Sequence, residues 1–184
     1  MTDSQVSKQN KAVFLDRDGV LNKALVRTGK PYPPANIVEL EILPGVFEAL
    51  QVLKKNGFLL IVVTNQPDVA RGVGSKESVE QMNHFLQDKL GIDEFNTCYH
   101  DSGDNCACRK PKPGAILEAA IRWSLDLGQS FIVGDRWRDI EAGQAAGVKT
   151  VFIDYGYDEK RPNAFDYKTS SLLSAVPYIL GELN

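Results

Sequence analysis

The sequence predicts an α/β protein, a Rossmann-like three-layer α/β/α sandwich around a parallel sheet. Three observations carry that prediction. Five short apolar, β-branched or aromatic runs recur along the 184 residues, at 12–15, 58–64, 95–100, 131–134 and 150–154. Most are continuous rather than alternating, which is the pattern of strands buried on both faces. Helical apolar stripes sit between them, and strand–helix alternation leads to right-handed crossovers and a doubly wound sheet.

The elements follow in order. The opening MTDSQVSKQNK is polar and lacks an apolar signal core, so residues 1–10 are expected to be a disordered leader and 11–184 a single domain. The first strand is Ala12-Val13-Phe14-Leu15. Val46, Leu50 and Leu53 then recur at helical spacing after Pro44-Gly45, with Gly57 placed as a stop. After the second strand, Val79, Met82, Phe85, Leu86 and Leu90 form an apolar stripe opened by Ser75 and closed by Gly91. After the third, Ile116, Leu117, Ala120 and Ile121 form another, with Pro113 near its start. A short fourth helix, 140–146, ends at Gly147. Residues 155–171 read as polar and aromatic loop, and a last helix from about Ser170 is expected to break or bend near Pro177.

Composition narrows the function classes. Hydrophobic content of 43% and charged content of 24% are those of a soluble globular protein. A net charge of −3 advertises no surface for a polyanion, so no nucleic-acid partner is expected. No apolar run approaches the roughly 20 residues that cross a bilayer, so no membrane association is expected. A cytoplasmic location follows by default.

Folds of this class bind ligands beyond the carboxyl ends of their strands. Applied here, that rule gathers chemistry-bearing residues from distant segments. The first strand ends in Asp16-Arg17-Asp18-Gly19, the second in Thr64-Asn65-Gln66, and the fourth in Gly134-Asp135-Arg136. The third runs through Cys98-Tyr99-His100 toward Arg109-Lys110. A strand that ends in two carboxylates one residue apart puts both on one face, because side chains alternate along it. Taken alone, the pair also fits ordinary turn chemistry. With Asp135, the two carboxylates suit one Mg²⁺, a hard cation that prefers oxygen ligands. Thr64, Asn65, Arg109, Lys110 and Arg136 add a hydroxyl, an amide and cations, the set that phosphoryl transfer requires.

The runs DRDGVLN, VVTNQ, CRKPKPG and GDRWRDIEAG, in this order, resemble the four motifs of the haloacid dehalogenase superfamily of phosphatases. The resemblance covers roughly residues 11–154. It implies roles by position: Asp16 as nucleophile, Asp18 as general acid and base, and Thr64 as the hydroxyl of the second motif. Lys110 then corresponds to the lysine of the third motif and Asp135 to the Mg²⁺ carboxylate of the fourth. Asp139 corresponds to a second acid of that motif, which supports the site.

All three cysteines lie in Cys98-x-His100 and Cys106-x-Cys108, with one of the two histidines. Thiolates and an imidazole in a set of four suit tetrahedral Zn²⁺. The competing readings are a buried apolar Cys or a disulfide. Four protein ligands leave no open position, so such a zinc would hold the loop that leads into Arg109 and Lys110. The cysteine loop before CRKP also resembles the subgroup of the superfamily that holds heptose bisphosphate and histidinol-phosphate phosphatases. The Asn65-Gln66 pair followed by Ala70-Arg71-Gly72 is more similar to the heptose branch. Pro67-Asp68, Arg136 and the short gap between His100 and Cys106 depart from its frequent pattern. The resemblance implies a small phosphorylated sugar as substrate, and a monomer is expected.

Roughly 45 residues separate Asp16 from Thr64, and Thr64 from Lys110, which a loop, a helix and a strand largely consume, so no large cap domain fits. Short loops must shape the pocket, and Arg71, Arg27 and Lys30 are the candidates for a remote phosphate.

Overall fold

A computed structural model describes residues 9–183. The strands are β1 (Lys11–Leu15), β2 (Leu25–Arg27), β3 (Lys30–Tyr32), β4 (Phe58–Asn65), β5 (Glu94–Cys98), β6 (Phe131–Gly134), β7 (Lys149–Ile153) and β8 (Tyr167–Thr169). The helices are α1 (Val46–Lys55), α2 (Lys76–Leu90), α3 (Gly114–Trp123), α4 (Trp137–Ala146) and α5 (Leu172–Ile179). Six strands form one parallel sheet in the order β5-β4-β1-β6-β7-β8, and β2 and β3 pair as a separate antiparallel hairpin.

Alternation along buried strands builds two apolar layers, one on each side of the sheet. Val13 and Leu15 of β1 point with Leu60 and Val62 of β4 into a core shared with α1, α2 and α5. Ala12 and Phe14 point the other way, with Ile61 and Val63, against α3 and α4. This is the three-layer arrangement that the continuous apolar runs predict. Both faces being covered, the ligand-facing side is left to the carboxyl edge of the strands.

The helix termini follow local chemistry. The Ser75 hydroxyl accepts from the Ser78 N–H and caps α2, while Gly91, in the left-handed region, ends it. No helix among the described residues is long and apolar enough to cross a membrane.

Several expectations are corrected. Residues 1–8 of the expected leader lie outside the described residues, but Asn10 is anchored: its N–H donates to the Ser124 carbonyl and its side-chain amide to that of Trp123. β5 stops at Cys98, because the chain turns there toward the cysteine loop, so Tyr99 and His100 lie beyond it. In α2, Phe85 is exposed and Asn83 is buried instead. In α3 the buried face is Ala115, Ile116 and Ala119, so Leu117 and Ile121 point outward. α5 continues through Pro177 and stops two residues later, without a break at the proline. The region 155–171 contributes β8, a sixth parallel strand on β7.

Candidate active site

The carboxyl edge carries a compact cluster of charge. Asp16 follows β1 and extends its pairing by one hydrogen bond, from its N–H to the Val133 carbonyl at 3.0 Å. Asp135 follows β6, and Asp139 sits in the first turn of α4, where one of its oxygens accepts the Arg136 N–H at 3.0 Å. Asp16, Asp135 and Asp139 each bring a carboxylate oxygen within 4.8 Å of the others. The Lys110 ammonium lies 2.9 Å from Asp16 Oδ1 and 2.6 Å from Asp139 Oδ1, and is itself buried. It also donates to the Val63 carbonyl.

Three carboxylates against one ammonium leave two formal negative charges unmatched. No donor among the described residues stands within ordinary hydrogen-bond geometry of either Asp135 oxygen, although the group is buried and the Tyr157 hydroxyl faces it. Buried carboxylate oxygens are normally paired or bound to metal. Burial pushes the Asp16 carboxyl up to about 6, with the Asp139 charge adding to it and Lys110 opposing. Burial, then the charges of Asp16 and Asp139, hold Asp135 well above the carboxylate range. A divalent cation with oxygen preference fits this orphaned donor set and its residual charge. Burial works against the Lys110 charge, but Asp139 and Asp16 outweigh it and raise its pKa.

Gly19 is required by contact as well as by conformation. Its φ is +92°, and a Cβ there would stand 1.9 Å from Asp135 Oδ2.

Asp18 departs from the expectation that it joins Asp16 and Asp135 around one cation. The strand ends at Leu15, so strand alternation does not extend to Asp18, and its carboxylate is not part of the cluster. It is held instead by the Arg17 guanidinium, by the Asn22 amide at 2.9 Å and by the Gln66 amide at 2.8 Å.

A cleft of about 230 Å³ opens over the cluster, lined by Asp16, Asp18, Thr64, Asn65, Arg109, Lys110 and Arg136. The strand-end rule therefore brings all seven into one site. Asp135, by contrast, is packed beneath it, behind Gly19. The Thr64 hydroxyl accepts from the Gln66 amide at 2.9 Å, which leaves its proton free to donate into the cleft. Asn65 is engaged by the Lys110 backbone: its amide N–H donates to the Lys110 carbonyl at 3.0 Å and its oxygen accepts the Lys110 N–H at 3.1 Å. That clamp makes it a positioner of Lys110. Arg136 is met by a forked pair with Glu159, so its charge is already matched. Of the candidates for a remote phosphate, Lys30 and Arg71 line the cleft and Arg27 does not. Arg138, which the sequence reading did not single out, lines it too.

The cysteine loop closes a second cluster. Cys98 Sγ lies 3.7 Å from Cys106 Sγ and 3.6 Å from His100 Nδ1, while Cys108 Sγ lies 3.6 Å from Cys106 Sγ and 3.4 Å from His100 Nδ1. Tetrahedral coordination at ordinary zinc bond lengths demands about 3.8 Å between sulfurs and about 3.6 Å between sulfur and nitrogen. All three cysteines are free, so the disulfide reading falls. Burial raises the Cys98 thiol and pushes that of Cys108 up to about 12, so a cation is needed to hold them as thiolates. The loop is tied to the cleft: Arg109 Nη1 donates to the His100 carbonyl at 3.0 Å, and Arg71 pairs with Asp101 at 2.6 Å.

Residues 34–147 match the family described as haloacid dehalogenase-like hydrolase. The chain belongs to that family. A D-glycero-beta-D-manno-heptose-1,7-bisphosphate 7-phosphatase of Helicobacter pylori is 40% identical over 85% of this chain and 90% of its own length. The corresponding protein of Haemophilus ducreyi is 34% identical over 92% of this chain and 98% of its own. Among solved structures, D,D-heptose 1,7-bisphosphate phosphatase from B. bronchiseptica, complexed with magnesium and phosphate, superposes with a TM-score of 0.77. It is 26% identical and covers 94% of this chain and 99% of that one.

For a haloacid dehalogenase-like hydrolase, the roles missed from sequence are those of residues that hold others in place. Asn22, Gln66 and Glu159 act on Asp18 and Arg136 rather than on the cleft itself. Gln66 is named with the strand end that carries Thr64, but its hold on Asp18 is visible only in the structure. Arg17 is an entirely buried charge, which no apolar period reveals.

Proposed function

We propose that this chain, as a single domain spanning 11–184, is a Mg²⁺-dependent phosphomonoesterase that removes the 7-phosphate of D-glycero-D-manno-heptose 1,7-bisphosphate through an aspartyl-phosphate. The observation that carries the reading is the Asp16, Asp135 and Asp139 cluster partly neutralised by Lys110, with Asp16, Asp139 and Lys110 lining a cation-rich cleft and Asp135 beneath them. The chain's relatives at 34–40% identity, which bear the name of that activity, point the same way.

Asp16 is the nucleophile. Its carboxylate oxygen bonds to phosphorus as the sugar oxygen leaves, and Asp18 supplies the proton to that oxygen. Asp18 then takes a proton from the water that cleaves the aspartyl-phosphate. Lys110 fixes Asp16 through its 2.9 Å contact, and the Thr64 hydroxyl and Arg109 guanidinium donate to the phosphoryl oxygens. Magnesium, held by Asp16 and Asp135 close to Asp139, would neutralise phosphoryl charge. Zinc on Cys98, His100, Cys106 and Cys108 would be structural, since four protein ligands leave no open position. The substrate is a small phosphorylated sugar, with no nucleic-acid or membrane partner, and the enzyme works as a cytoplasmic monomer.

The test is phosphate release from heptose 1,7-bisphosphate, histidinol phosphate and 3′-phosphorylated oligonucleotides under one set of conditions. Preference for the heptose is expected, together with loss of turnover in a folded Asp16→Asn variant. A kcat/KM tenfold or more in favour of histidinol phosphate would overturn the substrate, and retained activity in the variant would overturn the nucleophile.

A further inference from the structure

Arg17 is the largest of the fully buried side chains, with no exposed surface. A guanidinium taken wholly out of water is strongly unfavourable unless it is paired and its donors are used. Among the described residues the only carboxylate that pairs with it is Asp18. The fork is specific: Nε reaches Asp18 Oδ1 at 3.2 Å, and Nη2 reaches Oδ1 and Oδ2 at 3.1 Å each. The far side is anchored too. Arg17 Nη1 donates to Asn83 Oδ1 at 3.0 Å, and Asn83 Nδ2 donates to Thr97 Oγ1 at 3.0 Å. A continuous chain of hydrogen bonds therefore runs from the half-buried Thr97 on β5 through the buried Asn83 on α2 to Arg17, and ends on a carboxylate that lines the cleft.

We propose that Arg17 is a positioning residue for the reaction, setting the Asp18 carboxylate in the cleft wall and away from the Asp16–Asp135–Asp139 cluster through its anchor on Asn83. The inference rests on the reading of Asp16 as nucleophile and Asp18 as the proton donor. Two observations single Arg17 out from the other groups around Asp18. Asn22 and Gln66 are neutral amides that each meet one oxygen, whereas Arg17 meets both and so fixes the plane of the carboxylate. Its charge also compensates a fourth carboxylate beside an already crowded cluster, since Asp18 is among the groups that push Asp16 upward. In the step that depends on this geometry, the Asp16 oxygen–phosphorus bond forms and the phosphorus–leaving oxygen bond breaks. Asp18 enters this step protonated, passes its proton to that leaving oxygen and is left as the carboxylate that Arg17 pairs.

The proton transfer matters only when the leaving oxygen is a poor leaving group, and this separates positioning from general structural support. kcat/KM reports the steps through formation of the aspartyl-phosphate, so it isolates that transfer. In Arg17→Met, which keeps the length of the stem but removes the fork, kcat/KM for the sugar phosphate is expected to fall by about a hundredfold, the low end of what a positioned proton donor contributes. That for 2,4-dinitrophenyl phosphate, whose leaving oxygen needs no proton, is expected to change little. Equal losses on both substrates, or no loss on either, would overturn the proposal. Where Arg17→Met does not fold, Asn83→Ala decides the matter, because it leaves Arg17 in place and removes only its anchor. A smaller loss confined to the sugar phosphate supports the relay, and an unchanged ratio between the two substrates overturns it. Asp18→Asn is measured alongside. If that variant lacks the selective loss, the assignment of Asp18 fails; if it shows the loss and the other two do not, only the role of Arg17 fails.

Discussion

Asp16 stands between two demands, since a nucleophile must be ionised but the metal-free site disfavours its charge. Its folded-state carboxyl, pushed up to about 6 from an ordinary value of 3.8, binds a proton more tightly than in the unfolded chain. The folded state therefore gains protons relative to the unfolded state between those values, and stability falls as pH rises from about 4 to about 6. In magnesium-free buffer with zinc retained, Asp16→Asn is expected to raise the melting temperature at pH 7.5 by several degrees and to flatten that pH dependence. Added Mg²⁺ should stabilise the native protein more than the variant. Differential scanning calorimetry measures all three, and a variant that melts below the native chain would refute the repulsion argument. At this scale the site was partly legible. Asp16, Thr64 and Asp135 stand where apolar strands end, and Lys110 lies in the loop between β5 and α3; the structure brings Asp16 and Asp135 together, sets Lys110 on Asp16 and lines the cleft with Thr64. Asp18 was misplaced because strand geometry was carried past Leu15, where the strand ends. Arg17 and Asn83 were missed because a buried polar contact depends on what lies opposite in space.

Among the elements, the loop between β5 and α3 links the cysteine cluster to the cleft by two charged contacts, Arg109 to His100 and Arg71 to Asp101. The Arg71 hydrogen bond lowers the Asp101 carboxyl to about 2, so this ion pair persists across the working pH range. Cys106→Ser or zinc removal is expected to free the loop without unfolding the sheet, whose core residues lie in the two apolar layers. Arg109 would then lose its carbonyl partner. The KM should rise about tenfold, the worth of one charge-assisted hydrogen bond, with a smaller change in kcat. Hydrogen exchange should quicken within 99–113 and not in β1 or β4; uniform quickening would mean that the cluster holds the whole domain. The elements that sequence missed are the short ones. β2 and β3 have three residues each, contain Pro31, and turn through Thr28 and Gly29, both at positive φ. Thr-Gly is a weak hairpin signal beside Asn-Gly or Asp-Gly. β8, also three residues long, carries Lys168 at its centre and owes its place to pairing with β7.

For the whole molecule, the sheet order places β1 at the centre between β4 and β6, so their three carboxyl ends meet at one point. Without an inserted cap, discrimination of substrate falls to the hairpin wall at Lys30–Pro33, the turn that carries Arg71 and the cysteine loop. Two of the cleft cations differ in availability. Arg71 is already met by Asp101 at 2.6 Å and by Asp68 at 3.4 Å, while Lys30 has no ion-pair partner among the described residues. Arg27 stands outside the cleft, with its guanidinium 5.8 Å from the Tyr32 ring. Of these candidates, a second phosphate on the substrate should therefore draw on Lys30 more than on Arg71. Lys30→Ala is expected to raise the KM for the bisphosphate by about tenfold, the worth of one charge-assisted contact, with kcat preserved. The same change should leave the KM for a sugar monophosphate nearly untouched. Arg71→Ala should act in the same direction but less, and Arg27→Ala should do neither. Steady-state kinetics on the two substrates decide it. An Arg27→Ala effect as large as that of Lys30→Ala would place the second phosphate outside the cleft and would sink this account of how an uncapped site recognises a bisphosphate.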